Sequence, residues 1–133
     1  PLDEVVGRIR AQGGVTYAPH PFDPIRNGMR EHTLRRLHAE GSLDVIEIFN
    51  AKTAKDEFNQ AAKAIAAELG IPGAAGSDAH DPIDIGTAWV EMPDFDGPAS
   101  FLESIQSATV HGEYAPYPLR YPGANAHELY TAR

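Results

Sequence analysis

Cysteine is absent from the 133 residues of this chain. A disulfide framework, a thiolate nucleophile and a zinc site built from cysteines are therefore excluded. Long hydrophobic runs are absent too, because none approaches the roughly 18 residues that a membrane-spanning helix needs. No charged and then apolar leader opens the sequence. The chain is therefore expected to be soluble and cytoplasmic.

Positive charge is scarce, since 11 Lys and Arg residues face 19 Asp and Glu residues for a net charge of −8. Proteins that track nucleic-acid phosphates or anchor to acidic membranes need clustered positive charge. Neither a membrane nor a double-stranded nucleic-acid groove is therefore expected as a partner. A hydrophobic fraction of 42% is enough for a core, and the length suits one domain over residues 1–133.

Short strands and helices are predicted to alternate along the chain. Strands are predicted over 15–19, 43–49, 73–76 and 87–91. Helices are predicted over 2–9, 30–40, 55–69 and 96–108, with Gly70 as the C-cap of the third and Asp96 as the N-cap of the fourth. The proline-rich tail over 111–133 is expected to be extended, with a last helical turn near Asn125. This alternation is typical of βα units in a parallel sheet.

Polar residues follow three of the predicted strands, and parallel sheets bind ligands beyond the carboxyl ends of their strands. Asp78 and His80 are two residues apart at one such end, so their side chains are predicted to point the same way. A carboxylate and an imidazole can both ligate a divalent cation. The alternative is a surface turn in which Asp78 caps local backbone and His80 lies in solvent.

His20 ends another apolar strand, and Pro21 fixes the chain direction just after it. Read alone, it could be a core or interface histidine bonded to a carbonyl group. Because neighbouring parallel strands should bring His20, Asp78 and His80 to one edge, these three residues are the predicted metal ligands.

Three more residues near these strand ends are candidates. Glu47 interrupts an apolar strand, and an unpaired buried carboxylate costs several kcal/mol. It is therefore expected either to face water from an edge strand or to orient a ligand histidine near the metal. Asn50 could donate to a phosphate oxygen or cap the next helix. Arg26 follows His20 closely, and its guanidinium matches a phosphate bidentately.

Three stretches of the chain carry recognisable motifs. Residues 14–26 read Gly-Val-Thr-Tyr-Ala-Pro-His-Pro-Phe-Asp-Pro-Ile-Arg, and residues 43–52 read Leu-Asp-Val-Ile-Glu-Ile-Phe-Asn-Ala-Lys. Residues 74–80 read Ala-Ala-Gly-Ser-Asp-Ala-His. In order, spacing and placement at strand ends, the chain resembles the PHP (polymerase and histidinol phosphatase) family over about residues 14–110.

This resemblance implies a distorted (βα)7 TIM-like barrel that hydrolyses phosphate esters with a metal-activated water. It implies metal ligation by His20, Asp78 and His80, with Arg26 as a catalytic contact to the substrate phosphate. The implied cofactors are divalent ions of manganese, zinc or iron. The implied substrates are nucleotides or small phosphorylated metabolites.

The family's opening His-x-His motif and the ligands that follow it do not occur in this sequence. The chain is therefore expected to be the C-terminal portion of a PHP-type barrel, with its core over 14–110. A missing N-terminal half or an oligomeric partner would supply the remaining ligands to a hydrolase. The rival interpretation is a truncated or degenerate module that binds a metal or a partner without catalysis.

Overall fold

The computed structural model of the protein describes residues 1–26 and 28–116. Within them, the α-helices are α1 (Leu2–Ala11), α2 (Glu31–Ala39), α3 (Asp56–Leu69) and α4 (Pro98–Ser104). The strands are β1 (Tyr17–Ala18), β2 (Val45–Asn50), β3 (Gly73–Gly76), β4 (Ala88–Glu91) and β5 (Thr109–Gly112). Short 3-10 turns cover Pro24–Arg26, Pro82–Asp84 and Ile105–Ser107.

The first three strands form a parallel sheet in the order β1-β2-β3, so β2 is the central strand. Tyr17 is in register with Val45, and Ile46 is in register with Gly73. The crossovers contain α2 and α3, as the alternating pattern predicts. The α3 helix ends at Gly70, whose φ of 66° is left-handed and suits glycine. The predicted C-cap is therefore confirmed.

Hydrophobic clusters cover both faces of this sheet, because successive residues of β2 point to opposite sides. On one side, Ile46 packs with buried residues of the first three helices and of β1, including Val6, Ala18, Leu34, Leu37 and Ile65. On the other side, Val45 packs with Ala74 and Ile105. With both faces covered, the ends of the strands are left as the places where polar side chains can gather.

The fourth and fifth strands overturn the prediction of a TIM-like barrel. They pair antiparallel in a separate two-stranded sheet, with Ala88 opposite Gly112 and Glu91 opposite Thr109. Across the described residues, the three parallel strands form an open sheet rather than part of a closed barrel. The prediction was wrong because residues 109–112 are not part of an extended surface tail, whose start was expected at residue 111. They are instead a strand that returns against β4.

Other predicted boundaries shift by a few residues. The first strand shrinks to two residues, and Gly97 rather than Asp96 occupies the N-cap of α4. Ser100 Oγ connects the two positions, because it accepts from the Gly97 N–H and donates to Asp96. Most of the predicted tail, with its helical turn near Asn125, lies outside the described residues.

No helix in the described part of the chain has the length and apolar character needed to cross a membrane.

Candidate functional site

Glu47 lies near the carboxyl end of the central strand with only 5% of its surface exposed. Its carboxylate accepts hydrogen bonds from the Tyr17 hydroxyl at 3.0 Å, the His20 backbone N–H at 2.6 Å and Asn50 Nδ2 at 2.9 Å. Burial, together with the charge and hydrogen bond of Glu47, raises the pKa of Tyr17, so this hydroxyl stays protonated as a donor. The alternative of an edge strand with Glu47 facing water is therefore wrong.

An irregularity in β2 brings Glu47 and Asn50 together. Glu47 pairs with Ala74 and Phe49 pairs with Ala75, so Ile48 is an extra residue relative to β3. Such a bulge shifts the alternation of side chains by one position. Gly76 completes the fit, because a Cβ added there would collide with Glu47 Oε1.

Asn50 is almost fully buried and connects β2 with the segment after β3. Its Nδ2 also donates to Asp78 Oδ2 at 3.1 Å, and its Oδ1 accepts from the Lys52 backbone N–H at 2.9 Å. The N-cap of α3 is Lys55, so the interpretation of Asn50 as a helix cap is wrong. Asn59 of α3 instead bonds the backbone N–H and C=O of Asn50 and holds it in place.

Arg26 lies in the same cluster, with 6% of its side chain exposed. Its guanidinium forms an ion pair with Asp78 and lies 3.5 Å from Asp23 Oδ2. It also donates to Asn50 Oδ1 at 3.5 Å and to the Lys52 carbonyl at 3.3 Å. The arginine predicted to contact phosphate is thus paired with a predicted metal ligand.

Asp78 and His80 lie side by side, although not for the reason that the sequence suggested. Asp78 has a left-handed backbone with φ of 50°, so the alternation of an extended strand does not apply there. His80 Nδ1 lies 2.6 Å from the Asp78 carbonyl oxygen and 3.7 Å from Asp78 Oδ1. About half of the His80 side chain is exposed to solvent.

His20 also has a left-handed backbone, with φ of 27°. Among the described residues, His20 and Asp78 are the two positions other than glycine with positive φ. Such backbone strain costs on the order of 1–3 kcal/mol and concentrates at functional sites. The Nδ1 atom of His20 is buried and has no hydrogen-bond partner in the described structure.

The donors at this edge suit a divalent cation in chemistry but not in number. The orphaned imidazole nitrogen of His20 and the carboxylate of Asp78 are the expected types of ligand. Across residues 1–26 and 28–116, however, no three His, Asp or Glu side chains converge as around one ion. His20, Asp78 and His80 therefore supply an incomplete set in this arrangement.

Lys52 and Asp84 are partners that sequence reasoning missed. Lys52 Nζ lies 2.6 Å from Asp84 Oδ2, and their side chains are 3% and 0% exposed. The hydrogen bond from Lys52, opposed by burial, lowers the pKa of Asp84. Two signals were available: Lys52 closes the second recognised stretch, and Asp81-Pro-Ile-Asp84 has the spacing of a capping box. The structure shows that box, with Asp84 accepting from the Asp81 N–H.

Comparison with known families bears on the same segments. Residues 56–110, from α3 to β5, match the family model described as PHP-associated. The predicted resemblance to PHP proteins is confirmed. An uncharacterised protein of Methanocaldococcus jannaschii is 32% identical over 117 residues, which cover 81% of this chain and 49% of that protein. The chain thus spans about half the length of this curated relative. No solved structure matches the chain.

The PHP-associated match includes Asp78, His80 and Asp84, whereas Arg26, Glu47 and Asn50 precede it. The structure joins these two groups at one edge of the parallel sheet through the contacts of Asn50 and Arg26 with Asp78. The recognised PHP-associated segment therefore forms one half of the candidate site.

Proposed function

We propose that this chain provides part of the active site of a metal-dependent phosphoesterase related to PHP proteins. The observation that carries the proposal is a continuous chain of contacts at the carboxyl edge of the parallel sheet. It joins every residue singled out in the sequence, namely His20, Arg26, Glu47, Asn50, Asp78 and His80. Left-handed backbone at two of these residues gives independent support.

His20, Asp78 and His80 would hold the divalent ion, for which manganese, zinc and iron suit mixed nitrogen and oxygen ligation. When bound, such an ion lowers the pKa of a water molecule and makes it a nucleophile near neutral pH. Arg26 and Asn50 would bind the non-bridging oxygens of the phosphate ester. Because Arg26 pairs with Asp78, a cation bound to this carboxylate would replace one partner of the guanidinium, and the substrate phosphate would take that place.

Further ligands would come from another segment of a longer protein or from a second subunit. The incomplete convergence of ligands within the described residues supports this division. The substrates we propose are nucleotides or other small phosphate esters. The ions rather than lysine side chains would supply the positive charge, which accords with a net charge of −8.

A non-catalytic module is the second candidate, and the same incomplete ligand set favours it. In such a module, Arg26 would be the permanent partner of Asp78 and no cation would replace it. The two candidates therefore differ in whether Asp78 binds a metal ion.

Metal content of the purified chain, measured by elemental mass spectrometry, tests the first candidate. We expect a bound divalent metal in the original chain and its loss in Asp78→Ala and His80→Ala. His32→Ala is the matched control, because His32 is exposed on α2 and forms none of the contacts described for the site. A full metal content in Asp78→Ala would contradict the assigned ligands.

Hydrolysis is tested in a longer protein, in which this chain is joined to a segment equivalent to the part of the relative that the chain does not cover. We expect activity toward p-nitrophenyl phosphate or a nucleoside monophosphate that falls at least about hundredfold in Asp78→Ala. Failure of every such longer protein to hydrolyse a phosphate ester would favour the non-catalytic module.

A further inference from the structure

The Lys52–Asp84 ion pair is buried, and each partner is hydrogen-bonded to a residue of the candidate site. The 2.6 Å contact joins the segment after β2 to the 3-10 turn after β3. Removing a charge pair from water is costly, and replacement by apolar residues often leaves stability unchanged or improved. Stability alone is therefore a weak reason for a lysine and an aspartate at these two positions.

Lys52 reaches the candidate site through its main chain. Its N–H donates to Asn50 Oδ1 at 2.9 Å, and its carbonyl accepts from Arg26 at 3.3 Å. Asn50 and Arg26 both contact the carboxylate of Asp78. A shift of Lys52 would therefore move these two partners of Asp78.

Asp84 reaches the site from the other side. Its Oδ2 accepts from the His80 N–H at 3.4 Å and from the Asp81 N–H at 3.1 Å. Residues 78–80 immediately precede Asp81, and they include Asp78 with its left-handed backbone and the exposed His80. One carboxylate oxygen thus holds the far end of the segment that carries Asp78 and His80, two of the three proposed ligands.

We propose that Lys52 and Asp84 are positioning residues that fix Asp78 and His80 against Asn50 and Arg26 at the end of β2. The consequence for metal binding rests on the proposed function, whereas the ordering of residues 77–84 does not. Removal of residues that hydrogen-bond to metal ligands and orient them commonly changes metal affinity by 10- to 100-fold.

Hydrogen exchange of the full chain tests this proposal without requiring bound metal. We expect Lys52→Met and Asp84→Asn to accelerate exchange of the amides over 77–84 by at least about tenfold, which is the effect of losing about one hydrogen bond. The double variant Lys52→Met/Asp84→Asn leaves no unpaired buried charge. It serves as the test if either single variant fails to fold, with the same expected acceleration.

Arg10→Met is the matched control, because it removes a 2.8 Å ion pair with Asp44 before β2. It should lower the melting temperature and leave exchange over 77–84 unchanged. Unchanged exchange in the Lys52 and Asp84 variants would overturn the proposal. A uniform acceleration across the whole chain would overturn it as well, because the pair would then act only on global stability.

Isothermal titration with Mn²⁺ separates this proposal from the proposed function. We expect an affinity at least about tenfold weaker in the Lys52 and Asp84 variants and unchanged in Arg10→Met. Absence of Mn²⁺ binding in the original chain, together with the local change in exchange, would uphold the positioning role and count against the metal site. Normal Mn²⁺ affinity in the folded variants would overturn the positioning role.

Discussion

Both ends of the parallel sheet carry polar side chains, yet the two ends are built differently. At the amino end, Asp44 accepts from Arg10 at 2.9 Å and from the Thr16 N–H and hydroxyl at 2.7 and 2.9 Å. One cation meets one carboxylate there, and this small network ties α1 to the starts of β1 and β2. Its evident role is to hold these elements together.

Among the residues that the structure describes, the carboxyl end brings more carboxylates than cations into its network of contacts. The buried or partly buried carboxylates are Asp23, Glu47, Asp78 and Asp84, and the cations are Arg26 and Lys52. Buried polar atoms without a hydrogen-bond partner include His20 Nδ1 and Asp84 Oδ1. Buried charge and strained backbone both oppose folding. The comparison teaches that stability explains the amino end but not the carboxyl end, where we propose a ligand site.

Loss of the Glu47 carboxylate at the carboxyl end should give the largest decrease in the free energy of unfolding. Glu47→Ala leaves three donors without their acceptor, so we expect the free energy of unfolding to fall by about 3–5 kcal/mol. Asp44→Ala at the amino end should cost about 1–2 kcal/mol. Urea denaturation measures both values.

Glu47→Gln is the control for shape. Its amide oxygen can keep the bonds from His20 and Asn50 while its amide nitrogen donates to the Tyr17 hydroxyl, so we expect a loss of only about 1 kcal/mol. Equal losses in Glu47→Ala and Asp44→Ala would remove the distinction between the two ends.

Substitution of Gly76, which lies close to Glu47 Oε1, should give an intermediate loss of stability. Gly76→Ala forces the new Cβ against Glu47 Oε1, and we expect a cost of about 1–3 kcal/mol from the displaced carboxylate. Gly7→Ala is the matched change in open space on α1, where alanine should stabilise by about 0.5–1 kcal/mol. Thermal unfolding of the two variants should therefore shift in opposite directions.

Acidic pH should cause the smallest loss of stability, and this loss should arise at both ends of the sheet. Burial opposes ionisation of Asp44, but the hydrogen bonds from Arg10 and Thr16 outweigh it and lower its pKa. A lower pKa in the folded state means that the unfolded chain binds more protons near pH 4. The stabilisation is therefore present above about pH 4 and is lost as the pH falls through the folded pKa.

Melting temperatures between pH 3 and pH 7 test this dependence. Asp44→Asn should flatten the decline on the acid side, and Asp84→Asn should do so as well because its pKa is also lowered. An unchanged acid slope in both variants would contradict the assignment of these two carboxylates.

Sequence reasoning found the candidate site more readily than the architecture around it. The rule that ligands bind beyond parallel strands located His20, Glu47 and Asp78, because it needs only strand order. The alternation of side chains in an extended strand could not predict how Asp78 and His80 are oriented, because the backbone at Asp78 is left-handed. The β5 strand was missed because its register against β4 depends on contacts distant in sequence.

Lys52 and Asp84 were missed for a similar reason. They lie 32 positions apart in the sequence, and each looks like an ordinary surface charge until the fold brings them together. A buried ion pair leaves little trace in composition or in periodicity. Only the PHP motifs flanking Lys52 and the capping-box spacing before Asp84 mark these positions.

The extra residue in β2 has a consequence for aligning relatives. Before Ile48 the strand alternates in one phase, and after it the strand alternates in the other. A related sequence without that residue would need its carboxylate and amide two positions apart, rather than three, to form the same contact. An alignment that forces equal spacing through this strand would then equate a residue of the site with a residue of the core.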